Sequence, residues 1–370
     1  MNKLARWVPA LAAPVVIVCG AIAIPAIASA QGPLPTKTPA QVLELVAKSD
    51  TAAYSGTVQQ SSDLGLPDLS ALEQQSGGGA SSNSLVDLLT AAHTTKVYTD
   101  GGTKQRLQVL DNLAERDVVR DGNSVWLYDS AQKQATHLAL SNATGGTDSG
   151  AHTPAPAVTP AQAAAQLIAE LKPTTDFGVA SDERIAGRAT YRLTLSPKTS
   201  DTLVNRVTVA VDSTTGVPLD VAVYAKGQAK PAATAEFTSI DYATPAASDF
   251  AFTPPAGTKV ETQTIGGAQH PGATQAIPDG QRPTVLGSGW NAIAELPSGG
   301  QSLTQLESGA TAGDGTSGTG GMDASSLLGL LQPVSGGRGL QTSLISVLIT
   351  NDGRVLAGAV PLSSLENAAQ

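Results

Sequence analysis

Cysteine is almost absent from this sequence, since Cys19 is the only one among 370 residues. A single thiol cannot form an internal disulfide, so packing must supply the stability. Aromatic residues make up only 4% of the chain and charged residues only 14%. The 22 Lys and Arg are scattered and are outnumbered by 31 Asp and Glu. We therefore expect no nucleic-acid-binding surface.

Catalytic patterns are also missing. The sequence has no Gly-x-Ser-x-Gly elbow and no phosphate-binding glycine loop before a helix. The histidines lie singly, without metal-ligand spacing, at His93, His137, His152 and His270. An acidic run, interpreted as a solvated edge, contains Asp111, Glu115, Asp117 and Asp121. We expect no enzyme, no metal and no cofactor.

The first 30 residues have the pattern of an export signal. Lys3 and Arg6 precede an apolar stretch over residues 7–27, and Ala28-Ser29-Ala30 resembles a cleavage site. Prolines interrupt the apolar stretch, which disfavours a long straight membrane helix. About 20 apolar residues can still span a bilayer, so a retained N-terminal anchor is the alternative. Either way we expect an extracytoplasmic protein, secreted or at the cell envelope.

The segment from Ala189 to Val260 organises the rest of the chain. Three successive runs alternate apolar and polar residues with a period of two, which predicts half-buried strands. The apolar positions are Tyr191, Leu193 and Leu195, then Val207, Val209 and Val211, then Val217, Leu219, Val221 and Val223. A short connection ending in Gly216 predicts an antiparallel hairpin between the second and third runs. Such a sheet must bury its apolar face against something.

Further strands and two helices are predicted before this segment. Strand patterns cover residues 52–59, 95–99, 104–140 and 179–185, and Trp126 faces the side opposite to Val125 and Leu127. Thr38 and Gln41 predict a capping box at the start of one helix. Residues 159–162 repeat the same Thr-Pro-Ala-Gln opening for a second helix.

Two additions complete the predicted organisation. A Leu-rich insertion at residues 61–93 predicts two short amphipathic helices, interpreted either as ordinary packing or as a movable lid. After a polar linker at 261–283, residues 284–370 form a C-terminal α/β module with a hairpin around Asn351-Asp352-Gly353. The predicted lid residues are Leu66, Leu69, Leu72, Leu85, Leu88 and Leu89, with Leu167, Ile168 and Leu171 of the second helix.

Three motifs within residues 38–260 are informative: NSVWLYD after Asp121-Gly122, IAGRATYRLTLSPK, and FAFTPPAGTKV ending at Val260. In these motifs the region resembles the LolA-type lipoprotein carriers and the related RseB/MucB regulators of envelope stress. The resemblance implies a mainly β, α+β fold: a strongly curved antiparallel half-barrel covered by short helices, which enclose an apolar cavity. The carriers place an Arg-Pro pair near the second strand as a lid latch. This sequence has none there, although Arg106 lies nearby.

The resemblance implies a carrier that holds the acyl chains of lipids or lipoproteins at the cell envelope. The alternative is an RseB-like regulator that senses envelope lipids and binds a membrane anti-sigma factor. The residues alone favour a solid packed core, and the resemblance favours a cavity instead. A purely structural envelope protein is a third interpretation. The proposed cavity residues are Leu193, Leu195, Val207, Val209, Val211, Val221, Val223 and Trp126.

Overall fold

The computed structural model describes residues 34–65, 92–111, 114–140, 160–265, 283–297, 303 and 331–370. Within these ranges the chain forms one sheet of twelve strands and a second sheet of six. The large sheet is curved and open rather than a closed barrel. This confirms the expected mainly β architecture with a few short helices.

The large sheet has the spatial order β12-β6-β5-β4-β3-β2-β1-β11-β10-β9-β8-β7. Its strands are β1 Ala53–Ser62, β2 His93–Asp100, β3 Lys104–Asp111, β4 Ala114–Asp121, β5 Ser124–Asp129, β6 Gln134–Leu140, β7 Thr175–Ile185, β8 Arg188–Pro197, β9 Val204–Asp212, β10 Pro218–Ala225, β11 Ala233–Asp241 and β12 Lys259–Ile265. All neighbouring strands are antiparallel except β12, which lies parallel to β6. β12 continues past Val260, into the segment expected to be linker.

Two helices accompany this sheet, α1 Pro39–Lys48 and α2 Pro160–Leu171, and they pack against each other. The predicted capping box of α1 is confirmed. Gln41 N donates to Thr38 Oγ1 at 3.3 Å, and Thr38 N donates to Gln41 Oε1 at 2.9 Å. These bonds satisfy backbone groups that a helix start leaves unpaired.

The tip of the β9–β10 hairpin lies against α1. Gly216 closes the turn with φ of 80°, a left-handed conformation that favours glycine. A Cβ at this position would lie 2.1 Å from the carbonyl oxygen of Leu45, so the turn and the helix backbone touch directly. Glycine at this position therefore allows both the left-handed turn and the close contact with α1.

The segment between β11 and β12 contains most of the FAFTPPAGTKV motif. It begins with a short 3-10 turn at Ala247–Phe250. Pro254 and Pro255 lack the N–H groups that a sheet ladder needs, so pairing resumes only at Lys259. The segment crosses the sheet from β11 and packs on β3 and β4.

The C-terminal module is a separate sheet with the order β13-β14-β18-β17-β16-β15. Its elements are β13 Thr284–Leu286, β14 Ile293–Leu296, β15 Gln332–Val334, β16 Gly337–Gln341, β17 Ser346–Thr350, β18 Val355–Gly358 and α3 Leu362–Ala368. The predicted hairpin around Asp352 is β17–β18. The module has its own core, centred on Leu348, Leu356 and Leu365.

Candidate functional site

The organising strands present one continuous apolar face. Directly paired residues lie on the same side of a sheet, and the pairs join Leu193 to Val209, Val209 to Val221, and Val221 to Ala235. Val207 is likewise paired with Val223. We call this side of the large sheet the apolar face, and the other side the opposite face. Seven of the eight proposed cavity residues lie on the apolar face, all except Trp126.

The apolar face continues into the other half of the sheet. On β1 it carries Gly56 and Val58, and from Gly56 the pairing runs through Val97, Leu107 and Val118 to Leu127. Val118 and Leu127 are each 40% exposed. Large aliphatic side chains in the middle of a sheet are usually covered, so this half of the face is open at β4 and β5, whereas Val58 and Val97 are buried. These positions were not among the proposed cavity residues, although the alternation around Leu127 signals them.

Helix α1 covers one part of the apolar face. Val42 is fully buried and packs with Tyr191, Leu193 and Val211 of β8 and β9. The Tyr191 hydroxyl donates to the carbonyl of Pro35 at 2.8 Å, which ties the chain before α1 to the sheet. Here the apolar side chains form an ordinary packed core.

The C-terminal module covers another part of the same face. Trp290 and Leu344 of the module form one buried cluster with Val204, Val207 and Val223 of the large sheet. The module therefore has a sheet of its own and packs on the large sheet through this cluster. The module docks at the end of β9 and β10 that lies away from the Gly216 turn.

Between the two covers lie three half-buried residues, Leu195, Val209 and Val221. Leu195 and Val209 pack against both the α1 cluster and the module cluster, whereas Val221 packs only against the latter. The packed-core interpretation therefore holds for Leu193, Val211, Val207 and Val223. Between these half-buried residues and the open strands, the same face is buried at Phe237, Val58 and Val97.

Trp126 lies on the opposite face, because its partners across the strands are Val119 and His137. Its ring stacks on His137 at a centroid distance of 4.4 Å and contacts Phe252 at 5.6 Å. Tyr128 also contacts Phe252. The structure therefore does not bring Trp126 together with the other proposed cavity residues. It fastens the β11–β12 crossing segment to the sheet.

Arg106 is also on the opposite face. Its guanidinium donates twice to Asp117, at 3.2 and 2.7 Å, and once to the carbonyl of Asp249 in the crossing segment at 3.5 Å. Asp117 is only 3% exposed, so the acidic run is not simply a solvated edge. Burial raises the pKa of Asp117 to about 6, although Arg106 opposes the rise and Glu115 adds to it. Arg106 thus holds a crossing segment rather than a lid over the apolar face.

The proposed lid is only partly within the described residues. Leu167, Ile168 and Leu171 lie on α2 and are half-buried. The remaining proposed lid residues, Leu66, Leu69, Leu72, Leu85, Leu88 and Leu89, lie outside the described residues. Just before this Leu-rich insertion leaves the described residues, the chain contacts the module: Ser343 donates to the carbonyls of Leu64 and Asp63.

The remaining candidate residues are the histidines and the acidic side chains. The described ranges contain no cluster of three or more His, Cys, Asp or Glu side chains that could hold a metal. His137 accepts or donates a 2.8 Å hydrogen bond with Ser124 beneath Trp126, and His93 is buried in β2. His152 and His270 lie outside the described residues. None of the described helices has the length and apolarity needed to cross a membrane.

Sequence comparison gives the family of the large sheet. Residues 87–256 match the model of the MucB/RseB N-terminal domain. This segment is therefore similar to the MucB/RseB N-terminal domain, and the large curved sheet has a LolA-like fold. The match begins before β2 and ends in the β11–β12 crossing segment, so it covers most of the LolA-like sheet. No curated protein matches the chain.

Several solved structures resemble this chain at low sequence identity. The MucA/MucB complex of Pseudomonas aeruginosa is 18% identical, with a TM-score of 0.44, 90% of this chain covered and 96% of the solved chain. A LolA superfamily protein of Nitrosomonas europaea is 12% identical with a TM-score of 0.23, covering 59% of this chain and 99% of that one. An outer membrane lipoprotein-sorting protein domain of Vibrio parahaemolyticus is 10% identical with a TM-score of 0.23, covering 57% and 95%.

Proposed function

We propose that this protein is extracytoplasmic and binds the acyl chains of lipids or lipoproteins on the apolar face of its LolA-like sheet. The observation that carries the proposal is the open half of that face, where Val118 and Leu127 remain 40% exposed within an aliphatic row. The sequence match to the MucB/RseB domain supports the same class of protein.

The energetics of an acyl chain fit such a surface. Each methylene withdrawn from water contributes about 0.8 kcal/mol, so keeping two long chains out of water is worth on the order of 20 kcal/mol. The apolar face offers aliphatic contacts at Val118 and Leu127. Charged residues also lie on this side, among them Arg116, Arg120 and Asp129 on β4 and β5 and Lys259 and Glu261 on β12.

A matched pair of substitutions tests the proposal. Leu127→Glu places a charge on the open apolar face, whereas Val260→Glu places one on the opposite face at a similar exposure of 46%. We expect both variants to fold, and only Leu127→Glu to lose bound lipid. Gentle purification, solvent extraction and native mass spectrometry measure the bound lipid, with far-UV circular dichroism as the folding control. Lipid-free wild-type protein, or equal loss in both variants, would contradict acyl binding on this face.

The second candidate is a regulator that binds a membrane anti-sigma factor and senses envelope lipids. The family match favours it, because the matching model is that of MucB/RseB rather than of the carriers. A MucB has been solved in complex with MucA. Cross-linking in membranes followed by affinity purification separates the two candidates. One dominant single-span partner supports regulation, and lipid or lipoprotein cargo alone supports the carrier.

A further inference from the structure

We propose that the open part of the apolar face, at β4 and β5, selects lipids with an anionic headgroup, and that Arg120 binds this headgroup. The inference depends on the proposed acyl binding and adds to it the class of lipid.

Arg120 lies on the same side of the sheet as the exposed aliphatic side chains. It is two residues from Val118 on β4, and its direct partner on β5 is Val125, two residues from Leu127. Its partner on β3 is Gln105. The strand residues next to Arg120 on this face are therefore uncharged, and most of them are aliphatic.

The other charged side chains described on this part of the face have counter-charges beside them. Arg116 lies directly opposite Asp129, and Lys259 forms an ion pair with Glu261 at 2.7 Å. Among the ion pairs of the described ranges, none includes Arg120. A cation without a counter-charge beside an aliphatic surface is complementary to an amphiphile that carries one negative group.

The β4–β5 turn holds the guanidinium of Arg120 in place. Its Nε donates to the carbonyl of Gly122 at 3.1 Å. The adjacent acid, Asp121, belongs to the opposite face, where it forms an ion pair with Lys104 at 3.2 Å. The terminal nitrogens of Arg120 therefore face a ligand without competition from this carboxylate. Such a pair of N–H donors matches two oxygens of a phosphate or carboxylate.

The spacing along β4 suits a glycerophospholipid. Positions i and i+2 of a strand are about 6.6 Å apart, and a glycerol unit of similar length separates the phosphate of such a lipid from its acyl chain. With the phosphate at Arg120, the acyl chain begins beside Val118 and continues over Leu127, where both side chains are 40% exposed.

The charge of the whole chain makes this assignment specific. The net charge is −9, so the protein as a whole does not attract anions at long range. A preference for an anionic lipid therefore needs a local cation, and one substitution should remove it.

Two lysolipids with the same acyl chain test the proposal. The probes are 1-lauroyl lysophosphatidylglycerol, which is anionic, and 1-lauroyl lysophosphatidylcholine, which is zwitterionic, both used below their micelle concentrations. Isothermal titration measures their affinities for the full chain. We expect the wild type to bind the anionic lipid about tenfold more tightly, because charge-assisted hydrogen bonds are about twice as strong as neutral ones.

Arg120→Gln should lower the affinity for the anionic lipid to that for the zwitterionic one. Lys104→Gln is the matched control, since it removes one cation near the same turn but on the opposite face, and it should keep the preference. Far-UV circular dichroism checks that both variants fold. A preference that survives in Arg120→Gln, or that both variants lose equally, overturns the assignment.

The wild type alone gives a second test, which does not depend on the folding of a variant. Raising the salt from about 0.05 to 0.5 M should reduce the preference for the anionic lipid, because salt screens exposed charges. Free glycerol phosphate should not compete, since it lacks the acyl chain. A preference that is independent of salt, or competition by free glycerol phosphate, would overturn the selection of an anionic lipid.

The wild type also separates this inference from the proposed function. Equal affinity for the two lysolipids overturns headgroup selection and leaves acyl binding intact. Binding of neither lysolipid removes the proposed function, and headgroup selection with it.

Discussion

The two halves of the large sheet use the same kind of side chain differently. In the β8–β10 half, aliphatic residues of the apolar face are buried by α1 and by the C-terminal module, as Val211 at 0% exposure shows. In the β3–β5 half, residues of the same face such as Val118 are 40% exposed. An alternating strand pattern thus specifies which face is apolar, whereas the covering elements decide whether that face is core or binding surface.

The largest expected contrast comes from one substitution made in both halves. Val211→Asp buries a carboxylate without a partner and should lower the free energy of unfolding by at least about 4 kcal/mol. Val118→Asp adds the same charge at a partly hydrated site and should cost about 1 kcal/mol. Urea unfolding followed by circular dichroism measures both.

Similar losses at the two positions would show that the β3–β5 half is also packed core in solution. The apolar face would then offer no uncovered surface for a ligand. Lipid retention by folded Val118→Asp would instead show that bound lipid does not depend on the β3–β5 half, so stability and extraction together decide the comparison.

Much of the fold could be predicted from local sequence. The alternation in Leu193 and Val209 gave the correct face, and Thr38 with Gln41 gave the correct helix start, because both depend on neighbouring residues. Trp126 was grouped with the cavity residues but lies on the opposite face. Alternation divides the side chains of one strand between two faces. It does not tell which of these faces is the same side of the sheet as the apolar face of a distant strand. That continuity depends on the pairing of β1 with β11. The docking of Trp290 on Thr175 depends on contacts over more than a hundred residues and leaves no local pattern.

A smaller expected effect is the pH dependence of stability caused by Asp220, which lies on the opposite face of the β8–β10 half. Asp220 on β10 is 6% exposed and lies directly across from Glu236. Burial first, and then Glu236, raise the pKa of Asp220 from its ordinary 3.8 to about 6, against the influence of Arg192. The folded state therefore takes up this proton more readily than the unfolded state. The resulting stabilisation is complete below about pH 4 and is lost as the pH rises through about 6.

Asp220→Asn should remove this dependence. Between pH 4 and pH 7 the stability of the wild type should fall relative to the variant by on the order of 2 kcal/mol. Urea unfolding at several pH values measures the difference, and Asp201→Asn, at an exposed carboxyl, serves as the control. A constant difference across this range would mean that water reaches Asp220 and that the opposite face of this half is less tightly closed.

The smallest expected effect tests how firmly α1 covers its part of the apolar face. Thr38→Ala removes the side chain that accepts from Gln41 N, and a lost N-cap costs about 1 kcal/mol. The first turn of α1 should open more often, which should raise amide exchange at Val42, whose N–H donates to the carbonyl of Thr38. Hydrogen exchange by mass spectrometry measures this, with Thr253→Ala, in an exposed loop, as the matched control.

The same variant also tests whether opening of α1 uncovers the apolar face. Because Val42 packs on Leu193 and Val211, a helix that opens more often exposes aliphatic surface next to the half-buried Leu195 and Val209. Thr38→Ala should therefore increase binding of an apolar dye by a few-fold at unchanged secondary structure. If dye binding does not rise while exchange at Val42 does, the helix start frays without uncovering the sheet. The division between covered and open halves would then be fixed by the body of α1 rather than by its cap.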